Sequence, residues 1–313
     1  WMLENINDYD IAIIHGLWQY HAYSAAKACR LTSTPYLLFS HGMLDPWFNQ
    51  TNKLKAIKKQ LYWLFFERHT VNSAANLLFT SEEERNLARN VFWPYSPVEK
   101  VLPYGSGASK KPSEILKSEF YSKFPSLKKQ KFGLFLSRIH SKKGVDLIIS
   151  GMKEAVVNDS NFTIAIAGPD HGGLKDLLVE QVKQLGLVNN VVWLGMLNGD
   201  IKWGAYHSAD FFILPSHQEN FGIVVAEALS TGTPVLISNK VNIWREISKS
   251  GAGIVDEDTT EGVEVLLKKW AKLSDEAKQL MSQSAKKCYQ NNFSIEAAAS
   301  ALELVLKEQL NKK

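Results

Sequence analysis

Short β-branched and aromatic runs alternate with amphipathic stretches along most of this chain. The runs are Ile11–Ile14, Pro35–Phe39, Asn76–Phe79, Lys100–Leu102, Phe132–Leu136, Thr163–Ala167, Val191–Leu194, Phe211–Leu214, Pro234–Ile237 and Gly253–Val255. Several are apolar nearly throughout instead of at every second residue, the pattern of strands covered on both faces. Helical periodicities fill the intervals. Repeated strand–helix units of this kind build parallel, doubly wound α/β sheets.

With 313 residues, 45% of them hydrophobic, the chain is long enough for two cores. Its composition changes at Ser106–Lys131, SGASKKPSEILKSEFYSKFPSLKKQK, which is polar, lysine-rich and carries two prolines. We therefore expect a first domain over residues 1–107, a linker with a short helix over 108–130 and a second domain over 131–293. Residues 294–313 hold an amphipathic helix, Ser294–Leu310, expected to cross back to the first domain. The chain opens on Trp1 and almost directly enters a strand-like run, so the first domain is expected to lack its natural N-terminal segment.

No run approaches the roughly 20 apolar residues that span a bilayer, and no signal peptide is visible. Cys29 and Cys288 stand far apart and suggest neither a disulfide framework nor a zinc site. That usage points to a reducing, cytoplasmic compartment. A formal charge of +4 permits anionic ligands or an anionic membrane surface but is no nucleic-acid signature.

Chemistry concentrates in PSHQENFGIVVAEALSTGTPV, residues 215–235. Phe211–Leu214 reads as a strand, Pro215–Phe221 as a loop and Gly222–Thr231 as a helix closed by Gly232. Backbone N–H groups at Phe221, Gly222 and Ile223 would then form an anion site at the helix start. A helix start also explains an acid at Glu219. It does not explain Glu227, which sits among Ile223, Val224, Val225, Ala226, Ala228 and Leu229. A carboxylate there needs a partner or a wet cleft. Glu227 lies about 7 to 8 Å along the helix from its start, a separation suited to a nucleotide sugar with hydroxyls on both sides of its phosphates.

In LFLSRIHSKKGVDLII, a strand ends at Leu136 and is followed by Arg138, Lys143 and Gly144. Cations at the C-terminal edge of a parallel sheet hold phosphate oxygens and stabilise a leaving group. The plainer alternative is surface charge around a loop. In FSHGMLDPW, His41 follows an apolar run and precedes a glycine, a place for either a catalytic or a purely structural histidine. His15 in IIHGLW has the same setting and a weaker claim.

Together these segments resemble a retaining glycosyltransferase of family 4, the GT-B fold of two Rossmann-like domains facing a cleft, common in bacterial polysaccharide and lipopolysaccharide synthesis. The resemblance runs through SHG, FTSEEE, LSRIHSKKG, AIAGP, WLGML and ADFFILPSHQENFGIVVAEALSTGTPVLIS to the closing helix. It implies that Arg138 and Lys143 bind the donor diphosphate, that Glu219 contacts the donor sugar and that Glu227 contacts the ribose. It further implies that the Glu219, Asn220, Phe221, Gly222, Ile223 segment meets the phosphates through its backbone. Gly195, Met196 and Leu197 would lie near the nucleobase and His41 beside the donor sugar. The implied donor is a nucleoside diphosphate sugar of UDP or GDP type, with no cofactor and no metal. The implied acceptor is a carbohydrate or a lipid-linked acceptor. Two departures stand out. The family's opening strand and glycine-rich loop have no match, and its usual P-N-G is Pro103-Tyr104-Gly105 here. A nucleotide-sugar epimerase of the same fold and an inactive nucleotide-sugar-binding module remain as alternatives.

Asp256-Glu257-Asp258 spells a metal-binding pattern, but Thr259 and Thr260 follow at a helix start, and capping explains it. His171-Gly172-Gly173 reads as a tight connection, and Ser81 with Glu82–Glu84 as a helix cap. In NKLKAIKKQLYWLFFERH, Leu54, Ile57, Leu61, Leu64 and Phe65 form one helical stripe. Tyr62 and Phe66 share a side with Lys55, Lys58 and Lys59. That side fits either an anionic membrane surface or a solvated face whose aromatics pack on a neighbouring loop.

Overall fold

In the computed structural model, residues 1–46 and 53–311 are described; Trp47 and Asn52, at the ends of two stretches read above, lie outside them. The chain divides into two compact units, Trp1–Gly105 with Glu296–Lys313, and Ser106–Ile295. In the first, strands β1 (Ala12–His15), β2 (Tyr36–Phe39), β3 (Asn76–Phe79) and β4 (Glu99–Val101) pair in parallel in that order. In the second, β5 (Phe132–Leu136), β6 (Thr163–Ala167), β7 (Val191–Gly195), β8 (Phe211–Leu214), β9 (Val235–Ser238) and β10 (Gly253–Asp256) form a parallel sheet. Its order is β10-β9-β8-β5-β6-β7.

The apolar runs are strands because both faces of the sheets are covered. Every residue of β2, β3, β5, β6, β8 and β9 is buried. From β5 the chain winds outward through β6 and β7, then returns to the other side of β5 and winds through β8, β9 and β10. The direction reverses between β5 and β8, and ligands of doubly wound sheets enter outside the carboxyl ends of such a pair.

The structure differs from the expected linker over residues 108–130. The helix Ser113–Lys123 buries Leu116 and Phe120 in the second unit. It packs so closely on the helix Gly199–Ser208 that a Cβ on Gly204 would fall 2.2 Å from the Leu116 carbonyl oxygen. A polar, lysine-rich composition concealed two apolar anchors spaced four residues apart. The closing helix Ile295–Leu310 belongs to the first unit, where Val305 packs with Leu37, Phe39, Leu78 and Leu102. Gln309 Nε2 there donates to Asn76 Oδ1 at 2.7 Å.

The helix Lys53–Tyr62 continues through a wide turn at Trp63–Glu67. The residues it buries are Trp63 and Glu67, while Leu54, Ile57, Leu61 and Phe65 are exposed. Trp63 stacks on Phe92 at 4.9 Å and donates its indole N–H to the Pro94 carbonyl at 3.0 Å. Glu67 Oε1 accepts from the Trp18 N–H at 3.2 Å, and burial raises the pKa of its carboxyl. Of the side bearing the lysines, Tyr62 packs on Trp18 at 6.1 Å and Phe66 edge-on to Tyr23 at 5.9 Å.

Candidate functional site

At the carboxyl end of β5 the chain makes a short turn, Ser141–Lys143, and Gly144 starts the next helix with φ +68°. A side chain at Gly144 would place its Cβ 2.3 Å from the Pro215 carbonyl oxygen, so glycine lets this loop press against the loop after β8. The His217 N–H donates to the Lys142 carbonyl at 2.9 Å and ties the two loops. Lys143 is thereby buried and forms an ion pair with Glu219. Arg138 is exposed just beyond β5.

Glu219 is held along its backbone as well. Its N–H donates to the Lys240 carbonyl at 3.0 Å, and its carbonyl accepts from the Asn242 N–H at 2.9 Å. Asn220 Oδ1 faces Asn242 Nδ2 at 3.4 Å, and Phe221 is buried edge-on to Phe293 at 5.6 Å. Gly222 takes φ +74° and opens the helix Ile223–Thr231, which has no side-chain cap. An uncapped helix start leaves backbone donors for an anion. Ile223 is exposed beside it.

Glu227 has partners that periodicity does not reveal. Lys202 Nζ lies 2.6 Å from Oε1, and the Tyr206 hydroxyl donates to Oε2 at 3.0 Å. Burial, with the Glu227 charge beside it, holds the Tyr206 phenol far above its ordinary pKa, so it is a standing hydrogen-bond donor. Lys202 and Tyr206 are four residues apart on the helix Gly199–Ser208. That spacing, in the helix just after the Gly195–Leu197 segment, was the available signal. Gly195 and Met196 are exposed at the end of β7, and Leu197 is in the core.

The second unit thus brings Lys143, Glu219, Asn220, Phe221, Gly222 and Ile223 together, with Glu227 further along the same helix. His41 belongs to the first unit. It sits in a turn with φ +48°, its Nε2 2.9 Å from His15 Nδ1, its ring stacked on Phe39 at 5.5 Å and edge-on to Tyr104 at 6.2 Å. Burial and then His15 lower its pKa, against an opposing effect of Glu84. Glu84, read as part of a helix cap, does more than that. Its N–H does donate to Ser81 Oγ at 3.1 Å. Its buried carboxylate also accepts from Ser40 Oγ and the Gly42 N–H, each at 2.6 Å, and from the Thr80 N–H and Oγ1 at 2.7 and 2.6 Å. Donors on both sides of His41 therefore converge on one carboxylate and hold the turn.

Asp256 and Asp258 have other partners. Asp256 pairs with Lys269 at 2.9 Å and Asp258 with His217 Nδ1 at 2.8 Å, while Thr259 Oγ1 caps the following helix. Among the described residues, no three or more His, Cys, Asp or Glu side chains are grouped to hold a metal ion.

Comparison with known proteins agrees with this geometry. The family described as "Glycosyl transferases group 1" matches residues 117–294, and that described as "Glycosyl transferase 4-like domain" matches residues 3–105. An uncharacterized glycosyltransferase of Methanocaldococcus jannaschii is 37% identical over 125 residues, covering 40% of this chain and 31% of that protein. The D-inositol 3-phosphate glycosyltransferase of Rhodococcus jostii is 30% identical over 133 residues, covering 41% of this chain and 29% of that protein. The matched segments span less than a third of those relatives' length. Among solved structures, Anabaena HepE in complex with UDP superposes with a TM-score of 0.77 over 98% of this chain and 80% of that one, at 17% identity. At that identity the likeness speaks for the fold, two Rossmann-like α/β units of the GT-B type. Since the first of these families spans more than half of its residues, the chain belongs to the group 1 glycosyl transferases.

Proposed function

We propose that the protein transfers a sugar from a nucleoside diphosphate sugar to an acceptor hydroxyl, retaining the anomeric configuration and using no metal. The observation that carries this reading is the pair of cation-held carboxylates, Glu219 on Lys143 and Glu227 on Lys202, on either side of an uncapped helix start. When the donor enters, Lys143 and Arg138 turn to its diphosphate, together with backbone donors of the Asn220–Ile223 segment. Glu219, released from Lys143, accepts hydrogen bonds from the sugar hydroxyls, and Glu227 from the ribose. Gly195, Met196 and Leu197 border the base. His41 is the first unit's contribution to the reaction. A donor phosphate oxygen takes the acceptor's proton as the bond to the departing diphosphate breaks, so no separate general base is required. That Asp256 and Asp258 are paired with Lys269 and His217 supports the metal-free form of this reading.

A UDP donor is supported by the UDP bound to HepE, and a hydroxylated acceptor by the name of the Rhodococcus relative. In this reading the acceptor is a carbohydrate or a lipid-linked carbohydrate of a bacterial polysaccharide or lipopolysaccharide, met in the cytoplasm or at an anionic membrane surface.

Calorimetric titration of UDP, GDP and ADP in the presence of a chelator, on wild type and Glu227→Ala, tests the donor site. Binding of one nucleotide, weakened about tenfold or more in the variant, is expected. Binding of none of them sinks the reading. Donor converted to an epimer without acceptor would identify an epimerase, and donor bound but never consumed a binding module. A covalent glycosyl adduct on Glu219 would overturn the phosphate-assisted scheme.

A further inference from the structure

The helix Lys53–Tyr62 and its continuation to Glu67 are apolar on the side away from the core. Leu54 is 73% exposed, Ile57 59%, Leu61 50% and Phe65 69%. Leu54, Ile57 and Leu61 recur at helical spacing and Phe65 follows in the wide turn, all exposed, while Trp63 and Glu67 of the same stretch are buried. Trp93, 76% exposed, stands beside them; its carbonyl accepts from Gln60 Nε2 at 2.5 Å and its N–H donates to Gln60 Oε1 at 3.4 Å. Single exposed leucines are ordinary on a protein surface. A stripe of four large exposed apolar side chains, with an exposed tryptophan tied through its backbone to the same helix, calls for a cover.

The charge around the stripe says what kind. Lys55 and Lys58 are exposed along it, Lys59 follows over the Trp18 ring at 5.4 Å, and no Asp or Glu occurs between residues 53 and 66. A second copy of this chain meeting the face about a two-fold axis would bring the same lysines against each other. An anionic bilayer offers apolar interior for the stripe, phosphates for the lysines and an interfacial layer for the indole.

We infer that the outward stripe Leu54, Ile57, Leu61 and Phe65 is the face by which the protein rests on an anionic phospholipid bilayer, with Lys55 and Lys58 at the lipid phosphates. Tyr62 and Phe66 are packed on Trp18 and Tyr23, so the apolar contact is made by the stripe and not by these two aromatics, while Lys55 and Lys58 border it. The inference deepens the membrane element of the proposed function by naming its surface. It rests on the geometry of the first unit alone, so it holds or fails independently of sugar transfer.

Flotation of the full chain with vesicles of equal parts phosphatidylglycerol and phosphatidylcholine, and with phosphatidylcholine alone, tests it. The protein is expected to float with the anionic vesicles, less so as salt is raised. The double variant Leu61→Ser/Phe65→Ser should partition at least about tenfold more weakly, because each lost apolar group forgoes its transfer free energy. Lys55→Glu/Lys58→Glu should weaken it several-fold. The substituted positions are exposed, so melting by circular dichroism should match wild type. No flotation of wild type, or flotation untouched by the double serine variant, overturns the inference. So does a concentration-dependent dimer that the double serine variant abolishes. Intact flotation in a protein that binds no UDP, GDP or ADP would remove the proposed function and leave this inference standing.

Discussion

Lys202 Nζ lies 2.6 Å from Glu227 Oε1, across 25 residues of sequence and between two helices. With the Tyr206 hydroxyl on the other oxygen, it gives both oxygens of a carboxylate in the middle of an apolar helix a partner. Tyr206→Phe removes one donor and leaves that oxygen short of a partner, which costs about 1 to 3 kcal/mol. Urea unfolding should read that loss. The same substitution should weaken nucleotide binding by calorimetry; stability lost with affinity unchanged would make the network purely structural.

Lys143 and Glu219 neutralise each other at the carboxyl edge of the sheet. Lys143→Met should lower donor turnover by about two to three orders of magnitude, the usual effect of deleting a preorganised charge on a leaving group. Turnover within a few-fold of wild type would take Lys143 out of the reaction.

Glu84 accepts from Ser40, Gly42 and Thr80 around the His41 turn. In Glu84→Gln an amide NH2 must face donors where a carboxylate oxygen stood. The expected cost is about 2 to 3 kcal/mol in thermal unfolding. An unchanged melting temperature would show that the turn holds without this carboxylate.

Burial and His15 lower the His41 pKa from its ordinary 6.5. As pH falls below 6.5, the unfolded chain takes up the proton before the folded one does. Stability is therefore full above that value and is lost on acidification toward the folded pKa. Urea unfolding between about pH 7 and 5.5 should show the decline. His41→Asn, which tolerates the positive φ, should flatten it. His207, lowered chiefly by burial, contributes in the same direction in both proteins.

Gly144→Ala forces a Cβ to within 2.3 Å of the Pro215 carbonyl oxygen at φ +68°. The αL penalty alone is about 1 kcal/mol, and the collision must shift one of the two loops. A loss of at least about 2 kcal/mol is expected, together with weakened nucleotide binding. A neutral variant would mean that the loops separate easily.

The strands could be read in advance because a short run covered on both faces advertises itself locally. Phe132–Leu136 and Thr163–Ala167 have no polar face to confuse the period. The helix Ile223–Thr231 was legible for a similar reason, since Gly222 and Gly232 mark its ends in the left-handed conformation. The helix Ser113–Lys123 was harder, because Leu116 and Phe120 are sparse anchors in a polar stretch.

The sequence by itself determined which segments become strands and helices, and so which loops gather at the carboxyl edge where Lys143 and Glu219 meet. These outcomes depend on local periodicity and on the order of βα units. Only the tertiary structure decided that Glu227 answers to Lys202 and Tyr206, that Glu84 holds the His41 turn, and that the stripe from Leu54 to Phe65 faces outward. Periodicity fixes which residues share a face. Which face is buried depends on the volume already filled behind it, here by Trp18, Trp63 and Phe92.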